Sequence, residues 1–100
     1  MILRVFRAKI HEGQVENFER MVREQSIPWL NGSEGLLAWF PGKPIDESSR
    51  EFAMVTLWQD LSSVEKFTGR DWKNPVVTAD EAPLVEEMHA HHYVVFGTGR

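Results

Sequence analysis

The amino-acid sequence predicts an α+β fold of the ferredoxin-like type, β-α-β-β-α-β, built on one antiparallel sheet. Three observations predict it. In residues 51–58, Phe52, Met54, Thr56 and Trp58 fall on one side of an extended chain and Ala53, Val55 and Leu57 on the other. Both sides are largely apolar, as in a strand covered on both faces. Val15, Phe18 and Val22, joined by Met21, form one apolar stripe at helical spacing. Alternating segments at the two ends, Ile2 to Ile10 and His91 to Phe96, complete the split βαβ order.

Each element has its own signals. Ile2 to Ile10 is rich in β-branched and aromatic residues, and His11-Glu12-Gly13 makes the turn after it. Pro28 is expected to kink or end the first helix, because it removes an amide and restricts Ile27; Asn31-Gly32 supplies the stop. Gly35 to Phe40 reads as a short strand, closed by Pro41-Gly42-Lys43-Pro44 and a polar loop. After the central strand, Ser62 and Glu65 have the spacing of a capping box. Val64 and Phe67 then mark the buried side of a two-turn helix that stops at Gly69. Asp80 is expected to cap a brief helix carrying Leu84, Val85 and Met88, with Pro83 in its first turn. Residues 97–100 are expected to fray.

The chain of 100 residues makes a single domain, 1–100, with one core. Its net charge of −4 and lack of any basic run argue against a nucleic-acid partner. With no cysteine, disulfides, thiolate catalysis and Cys-ligated metals fall away together. No apolar run is long enough for a signal peptide or a membrane span, so the expected location is cytoplasmic, without a membrane partner. One sheet face packs on the helices, and the other carries enough apolar groups to predict a homodimer formed through it.

Several patterns together resemble the antibiotic biosynthesis monooxygenase family of the dimeric α+β barrel superfamily. They are the first strand with Glu12-Gly13, the helix ending before Gly35-Leu36, Phe52-x-x-Val55-x-x-Trp58, Phe67-x-Gly69-x-x-Trp72, and His92-Tyr93 on the last strand. The resemblance covers nearly the whole chain. It implies homodimers whose sheets pack into a barrel, with a pocket in each subunit between sheet and helices. Some members oxygenate aromatic polyketide precursors with neither metal nor flavin, others degrade haem. The haem-degrading branch needs an Asn on the first strand and a Trp and His in the second helix region. Here no Asn occurs between Met1 and Ile10 and no His between Val64 and Pro83, which disfavours haem.

The groups able to do chemistry are few. His89, His91, His92 and Tyr93 form the densest polar cluster, with His89 and His91 on one strand face and His92 on the other. Two imidazoles at that spacing bind a metal only with further ligands, and none is marked, so no metal is expected. His91 or His92 is a candidate general base, since imidazole takes a proton near neutral pH; the plainer reading is a set of solvated residues at a strand entrance. Trp39, Trp58 and Trp72 are either core or ligand contacts, as is Phe67, and Trp29 beside Pro28 is packing. Arg4, Arg7 and Lys9 interrupt an apolar strand. Arg4 and Arg7 either bridge salt across a dimer or hold a substrate enolate, and Tyr93 is the other candidate for that oxyanion. Two functions remain open. One is a cofactor-independent monooxygenase acting on a small aromatic or quinone-type molecule; the other is a non-catalytic dimeric barrel that binds a small apolar ligand or a partner.

Overall fold

Four strands and a short set of helical segments alternate in the computed structural model, which describes residues 1–99; Arg100, the end of the expected frayed tail, lies outside the described residues. The order is β1 (Ile2–Ile10), α1 (Val15–Met21), a π-helical turn (Val22–Ser26), α2 (Ile27–Leu30), β2 (Leu36–Gly42), β3 (Glu51–Trp58), α3 (Leu61–Thr68), a 3₁₀ turn (Ala82–Leu84) and β4 (Val85–Val94). The strands form one antiparallel sheet in the order β2-β3-β1-β4. The two central strands are the two most apolar, as burial on both faces requires. Among the described residues, no helix is long and apolar enough to cross a membrane.

The local chemistry departs from the sequence expectation in four places. Pro28 does not end the first helix, one of its two expected effects. A π turn precedes it, with the Ile27 amide reaching back five residues to the Val22 carbonyl, and the helix runs on to Leu30. The wider turn takes up the proline that a regular ladder would exclude. The α3 cap is Asp60 and not the Ser62–Glu65 box: its carboxylate accepts from the Ser63 amide at 2.9 Å and the Ser63 hydroxyl at 2.8 Å. Leu61 is already helical, which leaves Ser62 exposed within the first turn. The Asp80 helix shrinks to the 3₁₀ turn, because β4 begins at Val85 and pairs along β1 from Ile10 to Ile2. Leu84 and Val85 still reach the core, and Met88 becomes a strand residue. Finally β2 runs to Gly42, with Pro41 opposite Met54, which an edge strand tolerates.

Side-chain alternation divides the sheet cleanly. Arg4, Phe6, Ala8 and Ile10 of β1 and Phe52, Met54, Thr56 and Trp58 of β3 face the helices. Leu3, Val5, Val55 and Leu57 occupy the open face. The buried side holds two apolar clusters. One joins Ala8, Ile10, Phe18 and Phe52; the other joins Leu30, Trp58 and Val64. Trp58 is completely buried, and covering so large a side chain contributes roughly 4–6 kcal/mol at ~25 cal/mol per Å². Its indole N–H donates to the Thr56 hydroxyl at 2.8 Å, which satisfies both groups inside the core.

Candidate functional site

Antiparallel pairing lines up four residues in a row across the helix-facing side of the sheet. Trp39 lies opposite Thr56, Thr56 opposite Arg4, and Arg4 opposite His92. Directly paired residues share a face at about 4.5–5.5 Å between Cβ atoms. The row thus carries an indole, a hydroxyl, a guanidinium and an imidazole side by side under the helices.

Arg4 is the outlier of the row. It is only 4% exposed, and its Nε and Nη2 are buried without a hydrogen-bond partner. Burial pushes its pKa down to about 10, still far above neutrality, so the group stays a cation. Its nearest aromatic contact is the Phe6 ring, 5.8 Å from the guanidinium carbon. His92, next in the row, has a buried Nε2 that also lacks a partner. Desolvation, then the nearby Arg4 and His91 charges, hold its pKa below the ordinary 6.5, so the imidazole is neutral at pH 7. Trp72 covers its ring edge-on at 4.9 Å.

Above Arg4 the two core clusters part to leave a cavity of about 240 Å³. Phe6, Phe18 and Phe52 line it on one side, Leu30, Met54 and Phe67 on the other, with Arg4 and Thr56 at the sheet. The volume falls just below the ~300–1,000 Å³ of drug-sized sites, which suits a compact one- or two-ring molecule. At the rim the Glu19 carboxylate joins Arg23 at 3.0 Å and Lys43 at 3.2 Å, tying the first helix to the β2–β3 loop.

The structure separates the expected site residues into those at the cavity and those away from it. Arg4 and Phe67 line the cavity. His92 stands beside Arg4 in the row, with Trp72 against it. Trp58 lies beneath the lining, its ring 5.2 Å from that of Phe67. Trp39 belongs to the same cluster but faces a separate shallow pocket near the helix end. His91 and Tyr93 project from the open face of the sheet, opposite Val5 and Leu3, away from the cavity. His89 shares their side, its ring stacked 6.5 Å from that of His91.

One polar residue of the cavity was not anticipated from sequence. Glu81 is 6% exposed and lines the cavity wall. The Ser26 hydroxyl donates to its Oε1 at 3.0 Å, and its own amide bonds the Thr78 hydroxyl at 3.2 Å. Burial raises its pKa above the ordinary 4.5, against the lowering effect of hydrogen bonding from the Ser26 and Thr78 hydroxyls. The Thr78-x-x-Glu81 spacing was the available signal, since it is that of a cap followed three residues later by an acid. Among the described residues, no three His, Asp or Glu side chains gather where they would hold a metal ion.

No family model matches the chain, and no curated protein matches it in sequence. Solved structures do match. A candidate antibiotic biosynthesis monooxygenase from Nitrosomonas europaea has a TM-score of 0.76 at 13% identity, over 97% of this chain and 100% of that one. One from Deinococcus radiodurans has a TM-score of 0.79 at 8% identity, over 100% and 97%. A variant of MhuD with two manganese protoporphyrin IX molecules per active site has a TM-score of 0.73 at 15% identity, over 100% of both chains. The chain has the ferredoxin-like fold of the antibiotic biosynthesis monooxygenases. As for the porphyrin seen in MhuD, the lining of the cavity in this chain includes no histidine to ligate a haem iron.

Proposed function

We propose that this protein is a cofactor-independent monooxygenase that binds a small, flat, acidic aromatic between sheet and helices and oxygenates its anion. The observation that supports this reading most is the buried Arg4 guanidinium, with two unmet donors at the base of an apolar cavity. An unpaired buried ion costs several kcal/mol of desolvation, and an anionic ligand brought against it offsets that cost.

The chemistry follows from dioxygen itself. Its triplet ground state reacts slowly with closed-shell organics, so without metal or flavin the substrate must supply the electrons. Neutral His92, buried beside Arg4 and just outside the cavity lining, takes a proton from a substrate seated against Arg4, and Arg4 stabilises the resulting enolate or phenolate. The anion passes one electron to dioxygen, and the substrate radical and superoxide combine at carbon. The peroxide takes the proton back from His92; loss of the remaining carbon-bound proton with hydroxide, as water, leaves a carbonyl. One oxygen atom enters the product and one leaves as water, as when 1-naphthol and dioxygen give 1,4-naphthoquinone and water. Phe67 flanks the substrate, Trp58 backs it, and Trp72 keeps the base dry. In this assignment His91 and Tyr93 belong to the open face and not to the chemistry.

We also propose that the chain is a homodimer joined through that face. Leu3, Val5, Val55 and Leu57 lie there, with Phe40 at 64% exposure and Tyr93 at 52%, a patch of the kind that soluble monomers avoid.

Oxygen uptake by metal-free protein with 1-naphthol tests the activity. Loss of the base should slow it ~10²–10⁴-fold in His92→Ala, and Arg4→Met should slow it as well. Uptake that vanishes on chelation, or that neither substitution changes, overturns the proposal. Saturable binding without uptake would favour the non-catalytic barrel.

A further inference from the structure

The cavity holds a second polar group that the proposed chemistry does not use. Glu81 and Arg4 line the same space, yet no ion pair within 4.0 Å joins them among the described residues. The Ser26 hydroxyl donates to Oε1 of the Glu81 carboxyl and the Thr78 hydroxyl also engages that carboxyl, which leaves it lone pairs for a further donor. Neither Glu81 oxygen is among the sealed, partnerless polar atoms of the interior.

Ser26 owes its position to the π turn, of which it is the last residue. One inserted residue rotates the rest of the helix by about 100° around its axis, and such turns recur at functional sites. A costly turn, a buried carboxyl and a clear cavity thus converge on one point. From the opposite side the sheet presents a fixed cation.

We propose that Glu81 is the second anchor of a two-ended binding site, whose ligand is a flat aromatic bearing an acidic oxygen for Arg4 and a hydroxyl at the far edge for Glu81. This rests on the proposed oxygenation only in giving Arg4 the ligand's anionic oxygen. The Glu81 carboxyl accepts from the hydroxyl through a remaining lone pair, and Ser26 holds it in orientation. A ligand with one oxygen function leaves that acceptor unmet, which is how such sites discriminate between otherwise similar molecules. Thr56 and Thr78, the other hydroxyls of the lining, each accept one hydrogen bond, from the Trp58 indole and the Glu81 amide.

The test compares 1-naphthol with 1,5-dihydroxynaphthalene by quenching of tryptophan fluorescence, in the absence of turnover. Wild type should bind the diol about tenfold more tightly, the worth of one good hydrogen bond to a charged group. In Glu81→Leu the preference should fall to about one. Should that variant not fold, Glu81→Gln and Ser26→Ala should each reduce the preference about threefold. Equal affinities in wild type, or a preference that survives these substitutions, overturns the assignment. Because no oxygen is consumed, a failed oxygenation assay leaves this result intact, and a failed preference leaves oxygenation intact.

Discussion

Arg4 is costly to keep. Its neighbours across the sheet are a hydroxyl already engaged by Trp58 and an imidazole that burial, helped by the Arg4 charge, keeps neutral. Replacing a buried charge by an apolar side chain of similar volume commonly stabilises by ~1–4 kcal/mol. Arg4→Met is therefore expected to raise the unfolding free energy by about that amount in urea, while weakening binding of acidic aromatics. A loss of stability would mean that Arg4 serves the fold and not a ligand. His92 gives a pH signature. Its folded pKa lies below the ordinary 6.5, so the unfolded chain binds more protons in the interval between the two values. Its contribution is complete above pH 6.5 and is lost as the pH falls towards the folded value. His92→Gln should lose less stability than wild type between pH 7 and 5 in parallel denaturation curves. At this scale the sequence was legible for Arg4, because a charge at a core-facing strand position stands out. For Glu81 it offered only the Thr78-x-x-Glu81 spacing, because the surroundings of the carboxyl depend on a helix 55 residues away.

At the scale of elements, the joint between β2 and α3 decides how tightly the sheet closes on its helix. Gly35 has φ +81°, and a Cβ there would overlap the Ser63 hydroxyl and lie 2.5 Å from the Ser63 Cβ. Ser63 cannot withdraw easily, since Asp60 holds both its amide and its hydroxyl. Gly32 has a similar φ, +89°, with nothing within 4 Å of a Cβ. Gly35→Ala should cost ~2–4 kcal/mol, overpacking added to the left-handed backbone. Gly32→Ala should cost only the ~1–2 kcal/mol backbone part. Equal costs in urea denaturation would show that the contact with Ser63 is not limiting. The strands were legible by alternation, and α3 by its Val64 and Phe67 spacing. The π turn was not, because its trigger, Pro28, is equally compatible with a kink, a stop or a local widening. Ten residues of β4 likewise overrode the weak helical pattern at 80–88 through pairing that lies far away in sequence.

The whole molecule presents two unlike faces. On one, helices and cavity enclose the row that holds Arg4; on the other, Leu3, Val5, Val55 and Leu57 lie open, with Arg7 and Lys9 farther along β1. The order β2-β3-β1-β4 leaves Val5 and Leu57 near the middle of that open face. A dimer closed through it is expected from light scattering at micromolar concentration, and Leu57→Lys should convert it to a folded monomer. A wild-type monomer would contradict this. The fold and the proposed dimer face were legible in the alternation alone, whereas the cavity depends on how two core clusters fail to meet, which no local pattern encodes.

The central claim is that Arg4 holds an organic anion in the cavity, and the ionisation of bound 1-naphthol reads this directly. Naphthol and naphtholate differ in absorbance, so the pH at which the bound molecule loses its proton can be titrated. A cation within ~4–6 Å lowers an acidic group's pKa by about 1–3 units. Bound naphthol should therefore ionise about 1–3 pH units below free naphthol in wild type, and no lower than free naphthol in Arg4→Met. Bound naphthol that ionises at or above the free value in wild type, or a lowered value that persists in Arg4→Met, would contradict the account.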